Sequence, residues 1–216
     1  MSHNNYLRKA NLSWVDFREI KLISADLTGA TLEEGCLNDA DLSRANLSGA
    51  NLISADLKSA DLSGANLSSA NLNNADFTRA NLSSANLNNA DLSRANFSSA
   101  DLSYNDLANF NLSDINLSRA NLSSVKLSKA ILRGADLSYA NLEDTFLEGA
   151  DMSKANLTGV KIRGFDQNGV EYYKVDLRGV TLTDTIMPNG EIYEGGINNY
   201  FEYNKNLEEN SYDEVF

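Results

Sequence analysis

Apolar residues recur in this chain at every fifth position. From Leu7 through Leu12, Phe17 and Leu22 to Met152, Leu157 and Ile162 there are 32 consecutive centres, each Leu, Phe, Met or Ile. Two residues before most centres stands Ala, and Asp or Asn stands between them. Two small or polar residues follow, usually Ser and then a variable one. From Asp41 to Leu102 the pattern runs without a break. A period of five fits neither a helix at 3.6 nor a plain strand at 2. It fits a short extended piece followed by a corner. Ala points in, Asp or Asn out, Leu in, and the next two residues both point out. Two outward residues in succession break strand alternation, so the pattern predicts a turn in every repeat. Gly and small polar residues at those positions agree with a turn. A chain that turns the same way every five residues winds into a tube filled with Leu and Ala. Residues 66–80 and 81–95 are near-copies that differ only at Phe77/Leu92 and Thr78/Ser93, a fifteen-residue duplication.

The phrases ADLSR, ANLSG, ANLSS and ADFTR resemble the pentapeptide-repeat family, over about three-quarters of the chain. The resemblance implies an all-β fold: a right-handed, four-sided (quadrilateral) parallel β-helix solenoid with twenty residues per coil. That gives about eight to nine coils and leaves an irregular C-terminal tail. Met187-Pro188-Asn189-Gly190 resembles the ends of many cyanobacterial members. With twenty residues per coil, Phe77 stacks on Phe97 and Asp41 lies under Asp61. Asp56 likewise lies under Asp76, with Arg79 and Arg44 at nearby corners. Arg119 and Tyr139 share one outward column at cation–π distance.

Departures from the rule divide the chain. Residues 1–6 are polar and read as a frayed N-terminus, and 7–164 form the β-helix. Val15 and Ile20 replace Ala in the first coil. With Tyr6 and Trp14 they are expected to close the N-terminal end, because a solenoid must cover its exposed core and edge. Asn105, Phe110 and Ile115 occupy three successive Ala positions and should distort the tube there. The candidate partner surface comprises Tyr104, Asn105, Asp106, Arg119, Tyr139, Asp56 and Asp76. Residues 165–190 read as an irregular last coil, in which Phe165, Val170, Val175 and Val180 keep the inner register with bulk and close the C-terminal end. Asn168-Gly169 is a hairpin-turn signal and predicts a small excursion. Met187 to Gly190 reads as a turn that stops the helix. Residues 191–216 are acidic and aromatic; a flexible tail, a cap over the end and a partner-binding segment all remain open.

Charge and chemistry narrow the function. The net charge is −12 over 216 residues. Residues 7–164 carry 19 acidic and 15 basic side chains, whereas the last 26 residues carry 7 and 1. The only histidine is His3, and the sequence has no Gly-rich phosphate loop, no His/Cys metal cluster and no basic stripe for nucleic acid. The reading is therefore a non-enzyme without cofactors. It presents flat, rigid faces to an unidentified protein partner and does not bind nucleic acid or membrane directly. It is a monomer or a weak end-to-end dimer. Some members of the resembled family mimic duplex DNA and bind DNA gyrase, protecting it against quinolones or inhibiting it, which is the alternative here. Such a mimic needs a strongly negative rod, and this one is only mildly acidic. The first residues hold no apolar signal segment, no stretch reaches the ~20 apolar residues of a membrane span, and the single Cys36 permits no internal disulfide. These features point to the cytoplasm.

Overall fold

In the computed structural model the described residues are 7–160 and 179–193, with the backbone of 163–165 and 171–173. Residues 7–160 form a continuous solenoid. Each Asp/Asn position makes a single-residue parallel bridge to the position twenty residues on, as in Asn11–Thr31, Asp16–Cys36, Lys21–Asp41 and Asp26–Asn46. Four pentapeptides therefore complete one coil. Four columns of bridges join successive coils, except at the one boundary described below.

One repeat shows why five residues suffice. Asp61 N–H donates down to Ala40 O at 2.9 Å, and Leu62 N–H donates up to Asn81 O at 2.7 Å. Ser63 N–H turns back onto the Asp61 carboxylate at 2.9 Å. Gly64 N–H donates up to Ser83 O, and Ala65 N–H closes the turn onto Leu62 O, both at 2.9 Å. All five donors are satisfied, four by backbone and one by the outward side chain. The second residue after each centre is left-handed, with φ from 53° to 63° at twenty-six non-glycine positions. A positive φ at this place is the mark of a type II turn. Each such residue carries steric strain that the ladder above and below holds in place.

The interior is the stack that the pattern predicts. Leu27 to Leu82 are buried at every centre, and Ala30 to Ala80 at nearly every inner position. Phe77 and Phe97 stack with centroids 4.9 Å apart and planes 3° apart. Val15 lies twenty residues before Gly35, and a Cβ on Gly35 would meet Val15 Cγ1 at 3.6 Å and Leu32 O at 3.0 Å. The close approach is to the Leu32 carbonyl of its own turn, while Val15 below lies at ordinary contact distance.

The two ends differ from expectation. Val15 and Ile20 are half-buried against the core. Trp14 does not close the end: it is 72% exposed and donates its indole N–H to Glu34 at 3.2 Å. Its backbone sits in the left-handed corner position, which aims the side chain outward and up the wall. Tyr6 lies outside the described residues. At the far end, Asp151 bridges Thr181 and Asn156 bridges Ile186, thirty residues on instead of twenty. Ten residues have been added, and thirty is still a multiple of five. Val180, Leu182 and Met187 therefore remain buried in register. The addition holds an antiparallel hairpin of β1 (Arg163–Phe165) and β2 (Glu171–Tyr173), with Phe165 paired to Glu171. Phe165 thus stands in the excursion around Asn168-Gly169 and not in the rung ladder. Val170 and Val175 lie outside the described residues.

Met187-Pro188-Asn189-Gly190 then reverses the chain. Gly190, with φ 87°, donates to Met187 O at 2.8 Å. The turn connects β3 (Thr185–Ile186) to an antiparallel β4 (Ile192–Tyr193). Tyr193 is buried against the core, and burial raises its hydroxyl pKa.

One boundary between coils is open. Among the described residues the bridges Asn86–Asp106 and Asp91–Asn111 are missing, although the columns below and above them continue. Seven ladder hydrogen bonds are absent there. The donors left are the N–H groups of Leu87, Asn89, Leu92, Arg94, Asp106, Asn111 and Asn116. The coil above departs from the rule. Asn105, Phe110 and Ile115 fill inner positions that Ala fills elsewhere. Their turn bonds stretch to 3.4, 3.2 and 3.4 Å, against 2.9 Å at Ala65. Asn105 donates its amide to Leu82 O and Leu102 O, and its Oδ1 has no partner. Val125 and Thr145, single larger inner residues with turn bonds of 3.2 Å, keep their bridges, so the opening coincides with three such residues in succession.

Candidate interaction surface

The outward Asp/Asn has a structural task that decides which surface residues are free for function. Its Oδ1 accepts the N–H two residues on, as in Asp41–Ser43, Asn71–Asn73, Asp101–Ser103 and Asn156–Thr158. Asn also donates to the oxygen one coil below, as in Asn81–Asp61, Asn121–Asp101 and Asn156–Asp136. Much of the acidity of the rod is thus committed to its own turns. A residue other than Asp or Asn forfeits that bond. Among the described residues of the upper half this occurs at Lys126, Ile131, Phe146, Thr181 and Ile186. Ile131 is 40% and Phe146 55% exposed. Phe146 bridges Lys126, which bridges Asp106, so these three form one wall column. Ile131 stands on the next wall, above Asn111. Among the described residues the exposed large apolar side chains above the open boundary are Tyr104, Ile131, Tyr139, Phe146 and Ile192.

The expected surface residues divide. Tyr104 is exposed at the corner of the repeat before Asp106, and Asp106 pairs with Lys126 at 3.1 Å. The Lys126 ammonium holds the Asp106 carboxyl below its usual pKa. Asn105 is a correction: it is 2% exposed, an inner residue held by its two donated bonds, and not part of any outer face. Arg119 lies 5.1 Å from the Tyr139 ring centroid. The ring extends over Gly159, where a Cβ would meet it at 2.4 Å. Asp56 and Asp76 lie two to three coils lower. Lys58 bridges them at 3.2 and 3.3 Å, the role expected of Arg79 or Arg44. Burial pushes the Asp76 carboxyl up, but the Thr78 hydroxyl and N–H and the Lys58 ammonium outweigh it, and its pKa is lowered. This acidic pair is internally compensated and apart from the apolar group.

Sequence reasoning missed Lys126, Ile131 and Phe146. The signal was present: they break the Asp/Asn rule at an outward position. Their weight is visible only once that rule is known to be a hydrogen bond. Beside them the open boundary forms a cleft of about 220 Å³ lined by Leu92, Ser93 and Arg94 below and Asn111 to Ile115 above. Among the described residues no group of His, Cys, Asp and Glu is placed to hold a metal ion.

A ladder of pentapeptide turns around a Leu/Ala core defines a repeat solenoid. The sequence profile described as Pentapeptide repeats (8 copies) matches residues 25–64, 60–98, 95–134 and 130–166. The chain belongs to the pentapeptide-repeat family, whose fold is a right-handed β-helix solenoid. Among solved structures it is 34% identical to HetL of the cyanobacterium Nostoc sp. strain PCC 7120, described as involved in heterocyst differentiation regulation. That match covers 88% of this chain and 94% of HetL, with a TM-score of 0.38. Rfr23 from the cyanobacterium Cyanothece 51142 is 30% identical over 59% of this chain and 63% of its own, with a TM-score of 0.29. QnrB1, a plasmid-mediated fluoroquinolone resistance protein, is 21% identical over 85% and 86%, with a TM-score of 0.49. No curated protein matches the chain significantly.

Proposed function

We propose that this protein is a non-catalytic interaction solenoid whose partner is another protein, bound through the walls that carry Ile131 and Phe146. The observation that carries the reading is Phe146. It is 55% exposed at a position where Asp or Asn would form a turn-closing bond, so the chain forgoes stability to present an aromatic ring. Tyr104, Lys126 and Tyr139 lie within the same three coils. A four-sided rod of eight to nine coils belongs to this reading, supported by the four bridge columns twenty residues apart. Such a scaffold loses little entropy on binding because the ladder fixes its faces. HetL, at 34% identity, is described as involved in regulation, which agrees with a regulatory scaffold. A gyrase-binding DNA mimic is less well supported, because residues 7–164 carry 19 acidic and 15 basic side chains and form only a mildly acidic rod.

The test restores the rule. Ile131→Asn and Phe146→Asn together supply two missing turn-closing acceptors and remove two exposed apolar side chains. The double variant is expected to melt no lower than the parent and to lose at least tenfold in recovery of the partner from the native host. Equal recovery by both proteins would sink the proposal.

A further inference from the structure

We propose that the open boundary between the coil of Asn86 and Asp91 and the coil of Asp106 and Asn111 is a docking slot for an extended polypeptide segment, which supplies main-chain partners to the two lips. The lower lip offers the N–H groups of Leu92 and Arg94, which would otherwise donate to Asn111 O and Ser113 O. The upper lip offers those two carbonyls and the Asn111 N–H. The lower lip thus presents unpaired donors, and the upper lip unpaired acceptors with one donor. Water satisfies these groups in the free protein, and other small occupants fit them poorly. An anion drawn to Arg94 meets two carbonyls and Asp114, and a cation drawn to Asp114 meets Arg94. An apolar molecule would leave the main-chain groups unpaired. An extended peptide carries both kinds of group at the right interval, which is strand addition at an exposed edge. The cleft of about 220 Å³ gives it a starting place, floored by Leu92, Leu112 and Ile115. Ile131 stands directly above Asn111, so an outward apolar side chain of the segment meets an exposed apolar neighbour. The slot deepens the protein-binding reading and rests on it for the polypeptide nature of the occupant.

The probe is a decapeptide with the sequence of residues 80–89, Ala-Asn-Leu-Ser-Ser-Ala-Asn-Leu-Asn-Asn, because a coil of this repeat is what the ladder normally pairs with. Amide exchange of the full chain is followed by NMR. Without peptide, the amides of Leu92, Arg94 and Asn111 exchange fast while those of Leu72 and Phe97 are protected. At millimolar peptide the three slow at least tenfold, and a peptide N-methylated at both Leu residues gives no slowing. A second variant, Asn105→Ala/Phe110→Ala/Ile115→Ala, returns the inner positions to the rule and seals the ladder. Its three amides are slow from the outset and do not respond to peptide. Unchanged exchange with peptide, equal effects of the two peptides, or slow exchange in the free parent each overturns the slot. Partner recovery that still depends on Ile131 and Phe146 would then leave the wall surface standing alone.

Discussion

The Asp or Asn before each centre is both an outward polar residue and a backbone acceptor, and the two roles respond differently to substitution. Asp136 Oδ1 accepts Ser138 N–H at 3.0 Å and Asn156 Nδ2 at 3.1 Å. Asn presents the same oxygen and loses only the charge. Asp136→Asn is therefore expected to leave the unfolding free energy from urea titration within about 0.5 kcal/mol of the parent, since neither bond is lost. Asp136→Ala strands two donors and should cost about 1–3 kcal/mol at net contributions of about 0.5–1.5 kcal/mol per bond. Equal losses in the two variants would show that the charge matters and the acceptor does not. The same logic explains why Asp and Asn interchange along the chain.

At the scale of the repeat and its columns, much was legible because a period of five has few structural solutions. The inward Leu and Ala, the corner after each centre and the disturbance after Tyr104 follow from counting, and the Phe77–Phe97 stack follows once the family resemblance implies twenty residues per coil. Less legible were effects that depend on contacts between coils. Lys58 reaches both Asp56 and Asp76 because its stem spans one rung, which no pattern along the chain announces. Trp14 looked like a plug, yet its corner backbone turns it outward. The Phe column allows a direct check of stacking against simple burial. The fifteen-residue duplication places Leu92 where its copy has Phe77, so Leu is compatible with the turn. Phe77→Leu and Phe97→Leu should each cost about 1–2 kcal/mol in urea unfolding, from lost packing and lost ring contact. The double variant should cost about 1 kcal/mol less than the sum, because the shared ring contact is lost only once. Strict additivity would mean that the two rings occupy the column without favouring each other.

The whole molecule is a one-dimensional stack, so its cooperativity is limited by its weakest boundary. Every boundary from Asn11 to Asn81 carries its bridges on all four columns, but the boundary above Asn86 and Asp91 carries only Asn96–Asn116 and Asp101–Asn121. The core is continuous through it, since Leu87, Leu92, Leu107 and Leu112 all stay buried. Apolar packing therefore still couples the halves while half the hydrogen bonding is gone. Native-state hydrogen exchange in low urea should reveal two cooperative units. Amides between Leu32 and Leu82 should share one opening free energy, and those between Leu117 and Leu142 another. The two should differ by at least about 1 kcal/mol, within the range of sub-global openings below the global value. Sealing the boundary with Asn105→Ala, Phe110→Ala and Ile115→Ala should merge the two into one. A single opening energy across the parent rod would mean that the continuous Leu core alone transmits unfolding past two unbonded sides.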